Sequence, residues 1–334
     1  MLSDVIIVLC FNTFFAFTSI RGANVSGKFQ TACVILLAAA ALFVCGSGFT
    51  KGDVSNTSPL FTSAAGFTSV MLMVPGFMSG FNAIPQGVEE ADVKPKTVGR
   101  LVVGAVWGSA IFYILIIAGL AFAVPYEDRA ADGLVVIEAV RTMFHGNRLA
   151  VGFVTFASLV GMLTTWNAAF MAGSRFLNSM SRAKLIPPVF SDLHPKYQTP
   201  YKAVILLWIL GVIAAFLGKA SALYYGLMDI NGLTVVVSWL LISIAFLKIR
   251  KNMPDLERPF FVKRGKTVGI ISVVFCIGWL FLYTPWGPSG LLKGEWIALG
   301  VYALIALAVY LTWNRREGNV KHDEMLELLF GRKF

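Results

Sequence analysis

The residues best suited to chemistry in this chain crowd into one short segment. Residues 66–90 read GFTSVMLMVPGFMSGFNAIPQGVEE, and Pro75, Gly76, Gly80, Pro85 and Gly87 interrupt an otherwise apolar run. Proline removes a backbone donor and glycine permits non-helical dihedrals, so carbonyls and amides near them lose their helical partners. Carbonyls left free at the end of a half-helix are natural acceptors for an ammonium group. Ser79, Asn82 and Gln86 add hydrogen-bonding side chains, and Phe77 and Phe81 add aromatic faces that can close over a ligand. Two readings stand side by side. In one, the stretch Gly76–Asn82 is unwound and receives a polar guest. In the other it is a kinked helix whose Gly76 and Gly80 form a GxxxG contact with a neighbour. A second candidate is Asp229, in YYGLMDINGLT. An ionisable group within an apolar run is a functional candidate, although a carboxylate near a helix end at an interface is inexpensive.

These residues must be positioned by helices in a bilayer. The chain has 334 residues, of which 57% are hydrophobic and only 14% charged, and its mean hydropathy is +0.73. Soluble domains carry about 25% charge, so this composition excludes a soluble enzyme, a disordered chain and a small disulfide scaffold. A hydrocarbon core about 30 Å thick takes roughly 20 apolar residues as a helix. Nine such stretches occur, at about 2–20, 29–48, 66–88, 101–124, 149–174, 201–218, 223–247, 267–285 and 295–313. Backbone groups in lipid must be paired within the segment, so these are expected to be helices, and strand alternation of the barrel kind is absent. The first stretch lacks a basic leader, since its only early charge is Asp4, and reads as a true span. Discontinuous spans are a device of transporters, where half-helix ends direct partial charges at substrate groups.

Lys and Arg set the orientation. One set of alternate loops holds 22 of them and the other holds six, namely Lys51, Arg129, Arg141, Arg148, Lys219 and Lys293. The positive-inside rule places the rich set, and the C-terminus, in the cytoplasm. The N-terminus is then outside, which is unusual without a signal sequence and implies that the chain once began further upstream. Glu89 and Glu90 fall on the cytoplasmic side with Arg175, Arg182 and Lys184. A charge pair there would brace or gate the inner mouth, or be an exposed ion pair worth about 0–1 kcal/mol. The long external loop contains LVVIEAVRTMF, apolar at helical spacing, with Glu138 and Arg141 on its polar face. Cys10, Cys33, Cys45 and Cys276 lie inside apolar blocks without metal-ligand spacing, and His145, His194 and His322 are scattered. No HExxH, nucleophile elbow, P-loop or dinucleotide fingerprint occurs, so no enzyme, cofactor, metal site or nucleic-acid partner is expected.

Four segments carry a family likeness. GFNAIPQGVEEADVKPKTVGR resembles the sixth-helix signature of the amino acid/polyamine/organocation (APC) permeases, and SRFLNSMSRAKLIPPVFSDLHPKYQTP resembles their eighth helix and the loop that follows. RKNMPDLERPFFV resembles the loop after their tenth helix, and RGANVSGKFQ the loop between the fourth and fifth. The four occur in family order and cover essentially the whole chain. The resemblance implies an all-α integral membrane protein of the LeuT/APC-type inverted-repeat fold, N-terminally incomplete, with about nine transmembrane helices corresponding to family helices four to twelve. Residues 1–48 would be helices four and five, 49–247 the second repeat with helices six to ten, 248–314 a cytoplasmic loop and the last two helices, and 315–334 a cytoplasmic tail.

What the resemblance implies for function is a secondary active transporter of amino acids or related amines in the plasma membrane, working by alternating access. The substrate-binding candidates are Gly76, Phe77, Ser79, Gly80, Phe81 and Asn82. In this fold the eighth helix can supply hydroxyl oxygens to sodium, which makes Thr164 and Thr165 candidate ion ligands beside the candidate gate Glu89 and Glu90. The other reading of the threonines is that they bond back to their own helix. Departures are equally specific. The family's first, glycine-rich broken helix, which binds the substrate carboxylate, has no counterpart here. The usual acid after G-F is Asn82, and the position where many relatives carry a lysine, seven residues after Gln30, is Leu37. A coupling ion, Na+ or H+, therefore stays open, and the alternative is a truncated permease fragment without transport activity of its own.

Overall fold

The structure is a computed structural model that describes residues 2–86, 93–128, 135–217, 222–287 and 290–316. Among these residues eleven α-helices follow one another: α1 (Leu2–Arg21), α2 (Ala23–Lys51), α3 (Ala64–Phe77), α4 (Ala83–Gln86), α5 (Pro95–Ala123), α6 (Val135–Met143), α7 (Arg148–Arg182), α8 (Tyr201–Leu217), α9 (Ala222–Asn252), α10 (Gly265–Tyr283) and α11 (Lys293–Arg316). Among the described residues there is no strand.

Six of these helices contain a run long and apolar enough to cross a membrane: Gly27–Lys51, Pro95–Ala123, Arg148–Arg182, Ile230–Asn252, Gly265–Tyr283 and Lys293–Thr312. Three further apolar runs, Val5–Arg21, Ala64–Phe77 and Tyr201–Phe216, are shorter. Each of the nine expected stretches thus holds a helix, and six meet the length of a span. Their surfaces are apolar all round. On α11, Tyr302, Leu304 and Ile305 are each more than half exposed, as expected of helices solvated by acyl chains rather than by water. The chain is a multi-pass membrane protein.

Three apolar clusters divide the helices into two groups. Val44, Ala123, Val140 and Val154 join α2, α5, α6 and α7, and Phe15, Phe170 and Val204 join α1, α7 and α8. The third cluster is separate, with Leu233, Val236, Cys276 and Tyr283 of α9 and α10 packed against Leu72 of α3. α11 also packs on α9. In the first group α2 and α5 come backbone to backbone, because a Cβ on Gly48 would lie 2.2 Å from the Gly119 carbonyl oxygen. Without a hydrophobic force between helices in lipid, such small-residue contacts carry the association.

The amphipathic helix expected in the loop at about 125–148 appears as α6. It buries Ala139, Val140 and Met143 and leaves Glu138 and Arg141 as an exposed ion pair at 2.8 Å, which is the solvated face expected of them.

The loop after α7 shows what the quoted family segments do locally. Ser181 Oγ donates to the Pro187 carbonyl at 2.6 Å, and Asn178 Nδ2 to that of Phe190 at 3.2 Å, folding the chain back on α7. His194 Nδ1 accepts from the amides of Lys196 and Tyr197, and Thr199 Oγ1 donates to the Ile20 carbonyl at 2.6 Å, closing the end of α1. These polar residues hold the frame on which the site rests.

Candidate functional site

α3 begins conventionally. Ser63 is its N-cap and accepts from the Gly66 amide at 3.0 Å. The helix stops at Phe77, residues 78–82 are turns, and the chain re-enters a helix only at Ala83. Gly80, at φ +110°, sits within this break in a conformation that L side chains rarely adopt. The discontinuous-helix reading is therefore the one the backbone adopts, and Gly76 and Gly80 lie at the end of a helix and beyond it.

The two halves belong to different helix groups. α3 packs on α9 and α10, whereas α4 packs on α5 and α7. The five residues of the break thus lead from one group to the other. A cross-tie bridges the halves: the Tyr113 hydroxyl of α5 donates to the Phe77 carbonyl at 3.2 Å, with its ring edge-on to Phe77.

Proline explains the geometry upstream of the break. Pro75 is buried within α3 and has no N–H to give to the carbonyl of Met71, four residues back. That carbonyl accepts instead from Trp279 Nε1 at 2.7 Å. The next carbonyl, Leu72, accepts from the Tyr283 hydroxyl, also at 2.7 Å. Trp279 and Tyr283 are four residues apart on α10 and so share one face. The close fit needs a small residue opposite: a Cβ on Gly232 of α9 would lie 2.6 Å from the Tyr283 oxygen and 3.2 Å from the Leu72 carbonyl oxygen. Gly232, Trp279 and Tyr283 together hold the proline-freed backbone in place.

The carbonyls that end α3 are only partly free to serve a ligand. Val74 accepts from the Met78 amide at 2.8 Å, Gly76 accepts from the Ser79 amide and, at 2.6 Å, from the Ser79 hydroxyl, and Phe77 accepts from Tyr113. Each carbonyl oxygen has two lone pairs, so an ammonium group can share Gly76 and Phe77 with these partners. Ser79 and Asn82 are half-buried and Phe77 is 61% exposed. Phe81 stacks on Trp239 of α9, with ring centroids 5.9 Å apart. The Trp239 Nε1 atom is buried without an acceptor. Asn231 of α9 lies beside Gly76, its Nδ2 3.5 Å from where a Cβ on Gly76 would be.

Thr164 and Thr165 lie on α7. Thr164 is buried and donates to the Gly161 carbonyl at 2.6 Å, and exposed Thr165 donates to the same carbonyl at 3.2 Å. Both hydroxyl protons are therefore spent on their own helix. One turn on, Asn167 is 1% exposed and its Nδ2 donates to Gln30 Oε1 of α2 at 3.2 Å. Glu89 and Glu90 lie outside the described residues, as does the side chain of Asp229. Sequence reasoning missed Tyr113, Asn231, Trp239, Trp279 and Tyr283. The available signal for the last two was their four-residue spacing together with an unpaired carbonyl four residues before Pro75.

Residues 3–312 match the family model described as amino acid permease. The chain belongs to the amino acid permease family. Among curated relatives it is similar to the methylthioribose transporter of Bacillus subtilis (strain 168), 28% identical over 302 residues that cover 89% of this chain and 61% of that protein. It is similar to the branched-chain amino acid permease BcaP of the same organism, 25% identical over 76% of this chain and 51% of that one. The aromatic amino acid transport protein AroP of Corynebacterium glutamicum is 24% identical over 75% of this chain and 55% of its own length. The chain thus matches roughly half to three fifths of the length of these relatives. They are APC superfamily transporters and permeases, which agrees with the likeness carried by the four quoted segments.

Proposed function

We propose that this chain carries the larger part of a secondary active transporter of amino acids or related amines, on the five-plus-five inverted-repeat fold and by alternating access. The observation that carries the reading is the break at 78–82. It joins two separately packed helix groups in a chain of the amino acid permease family. The substrate's amino end is received by the carbonyls of Gly76 and Phe77, with Ser79, Gly80, Phe81 and Asn82 lining the same turn. Trp239 Nε1 offers a spare donor. Phe77, Phe81 and Trp239 form an aromatic wall, and Asn82 stands where an acid is usual, which favours neutral amino acids with apolar side chains.

Coupling falls to Na+ or H+. For sodium, Thr164 and Thr165 keep oxygen lone pairs after donating to Gly161. For a proton, Leu37 stands where an amine would be needed. The protein lies in the plasma membrane with the 248–266 loop and the C-terminus in the cytoplasm, as the distribution of basic residues supports. Glu89 and Glu90 would gate the inner mouth. A second reading follows from the share of the relatives that is matched: the chain alone is inactive because the other half-site lies in the unmatched portion.

The test is uptake of radiolabelled leucine, phenylalanine, arginine and putrescine into proteoliposomes. It uses the chain alone and the chain joined to the N-terminal portion of one of the Bacillus relatives, with and without sodium and pH gradients. Uptake of a neutral amino acid by either form supports the first reading, and uptake by the joined form only supports the second. Uptake of nothing by either form refutes transport.

A further inference from the structure

Where α9 ends and α10 begins, a cavity of about 650 Å3 opens on the surface. Four of its lining residues are cationic, Arg250, Lys251, Arg258 and Lys266, and none is acidic. The cavity also has an apolar wall of Leu247, Phe261 and Ile270, of which Phe261 is 64% and Ile270 47% exposed.

The four cations are not equivalent. Arg258 is committed to the backbone, donating to the carbonyls of Met253, Pro254 and Leu256 at 2.7–2.9 Å and so closing the end of α9. Arg250 is clamped in place. Its Nη2 donates to the Val262 carbonyl at 2.9 Å, and its guanidinium carbon lies 5.0 Å from the ring centroids of both Phe246 and Phe261. A Cβ on Gly265 would come within 2.2 Å of that carbon, so the guanidinium lies flat against the start of α10. Yet Arg250 Nε is buried and has no acceptor. Lys251 and Lys266 are exposed at the rim. The other charged residues of the 248–266 segment are Lys248, Lys263, Arg264, Asp255 and Glu257, so cations outnumber carboxylates seven to two along it.

A fixed, half-buried guanidinium, two exposed ammonium groups and an apolar flank match one kind of guest: a phosphate carried on acyl chains. Basic pockets between helices at the cytoplasmic interface are suited to anionic headgroups. We propose that this cavity binds an anionic phospholipid, with its phosphate against Arg250, Lys251 and Lys266 and its acyl chains along Leu247 and Ile270. The proposal rests on the membrane orientation given above, but not on transport. Cationic side chains alone could equally hold a free phosphate, and the test separates the two sources.

The full chain in detergent is exposed to phosphatidylglycerol, to phosphatidylcholine, to inorganic phosphate and to soluble glycerol phosphate. Retained molecules are counted by native mass spectrometry. Two variants of equal charge loss are compared: Lys251→Ala with Lys266→Ala, and Lys248→Ala with Lys263→Ala. Phosphatidylglycerol is expected to be retained far better than phosphatidylcholine, with soluble phosphates retained weakly. The 251/266 pair is expected to lower phosphatidylglycerol affinity by roughly thirtyfold, while the 248/263 pair leaves it within about threefold. Equal loss from both pairs would mean diffuse attraction and would overturn the site. Inorganic phosphate binding as tightly as the lipid would overturn the lipid assignment. Because retention is read without substrate, a chain that transports nothing still tests it.

Discussion

The break between α3 and α4 and the long helix α7 handle polarity in opposite ways. α7 runs unbroken from Arg148 to Arg182, with Thr164 and Thr165 bonded back to the Gly161 carbonyl. It buries eight residues, from Val154 to Ser181, and serves as the frame. α3 buries only Pro75. Its carbonyls at Met71, Leu72 and Phe77 are met by side chains from two other helices, Trp279 and Tyr283 of α10 and Tyr113 of α5. Polar groups satisfied within one helix lock it, whereas polar groups satisfied from other helices tie its geometry to their positions. A ligand that competes for the Phe77 carbonyl therefore acts on the tie between the two helix groups.

The contrast can be broken most severely at Gly232. Gly232→Ala pushes the Tyr283 hydroxyl off Leu72 and overpacks the contact between α9, α10 and α3, at a cost of about 1–3 kcal/mol. The melting temperature in detergent should fall clearly, and retention of wild-type stability would show that α9 and α10 do not clamp α3. Trp279→Phe removes the donor to Met71 and should cost about 1–2 kcal/mol. In a Pro75→Ala background, where residue 75 regains its amide for Met71, the same change should cost much less. Additive effects in that double-mutant cycle would dissociate Trp279 from the proline.

Gly80→Ala should cost about 1–2 kcal/mol, because the added Cβ meets nothing but the backbone conformation is left-handed. Gly161→Ala on α7 meets the flexible Leu37 side chain, with Cδ1 3.1 Å away, and should cost less. The reverse order would mean that the break is re-formed as helix in solution. The smallest change is Trp239→Phe, which removes a buried donor that has no acceptor. It should leave stability unchanged or raise it by about 1 kcal/mol, read as an unchanged or higher melting temperature, while weakening substrate uptake. Destabilisation would reveal an acceptor for the indole.

Much of this was legible in the residues, and the reasons differ by element. The apolar stretches announce their helices because bilayer thickness fixes their length. Pro75, Gly76 and Gly80 announce the interruption because each violates helix chemistry on its own. The family segments were equally visible, although those after α7 turn out to hold a loop together through Ser181, His194 and Thr199. What the residues did not disclose was pairing between distant segments. Trp279 lies 208 positions from Met71, and an aromatic in an apolar run looks the same whether it faces lipid or caps a carbonyl. Likewise, nothing local shows that α3 and α4 pack with different groups, because that depends on which helices surround each half.

The account stands on the break at 78–82 being open backbone that responds to substrate. Hydrogen exchange of the protein in nanodiscs, joined to the upstream portion of a relative and read by mass spectrometry with and without a transported amino acid, tests it most directly. Amides of residues 78–84 should exchange far faster than those in the middle of α7 and should become protected when the amino acid is added, with α7 unchanged. Slow exchange across 78–84, equal to that of α7 and indifferent to the amino acid, would contradict it.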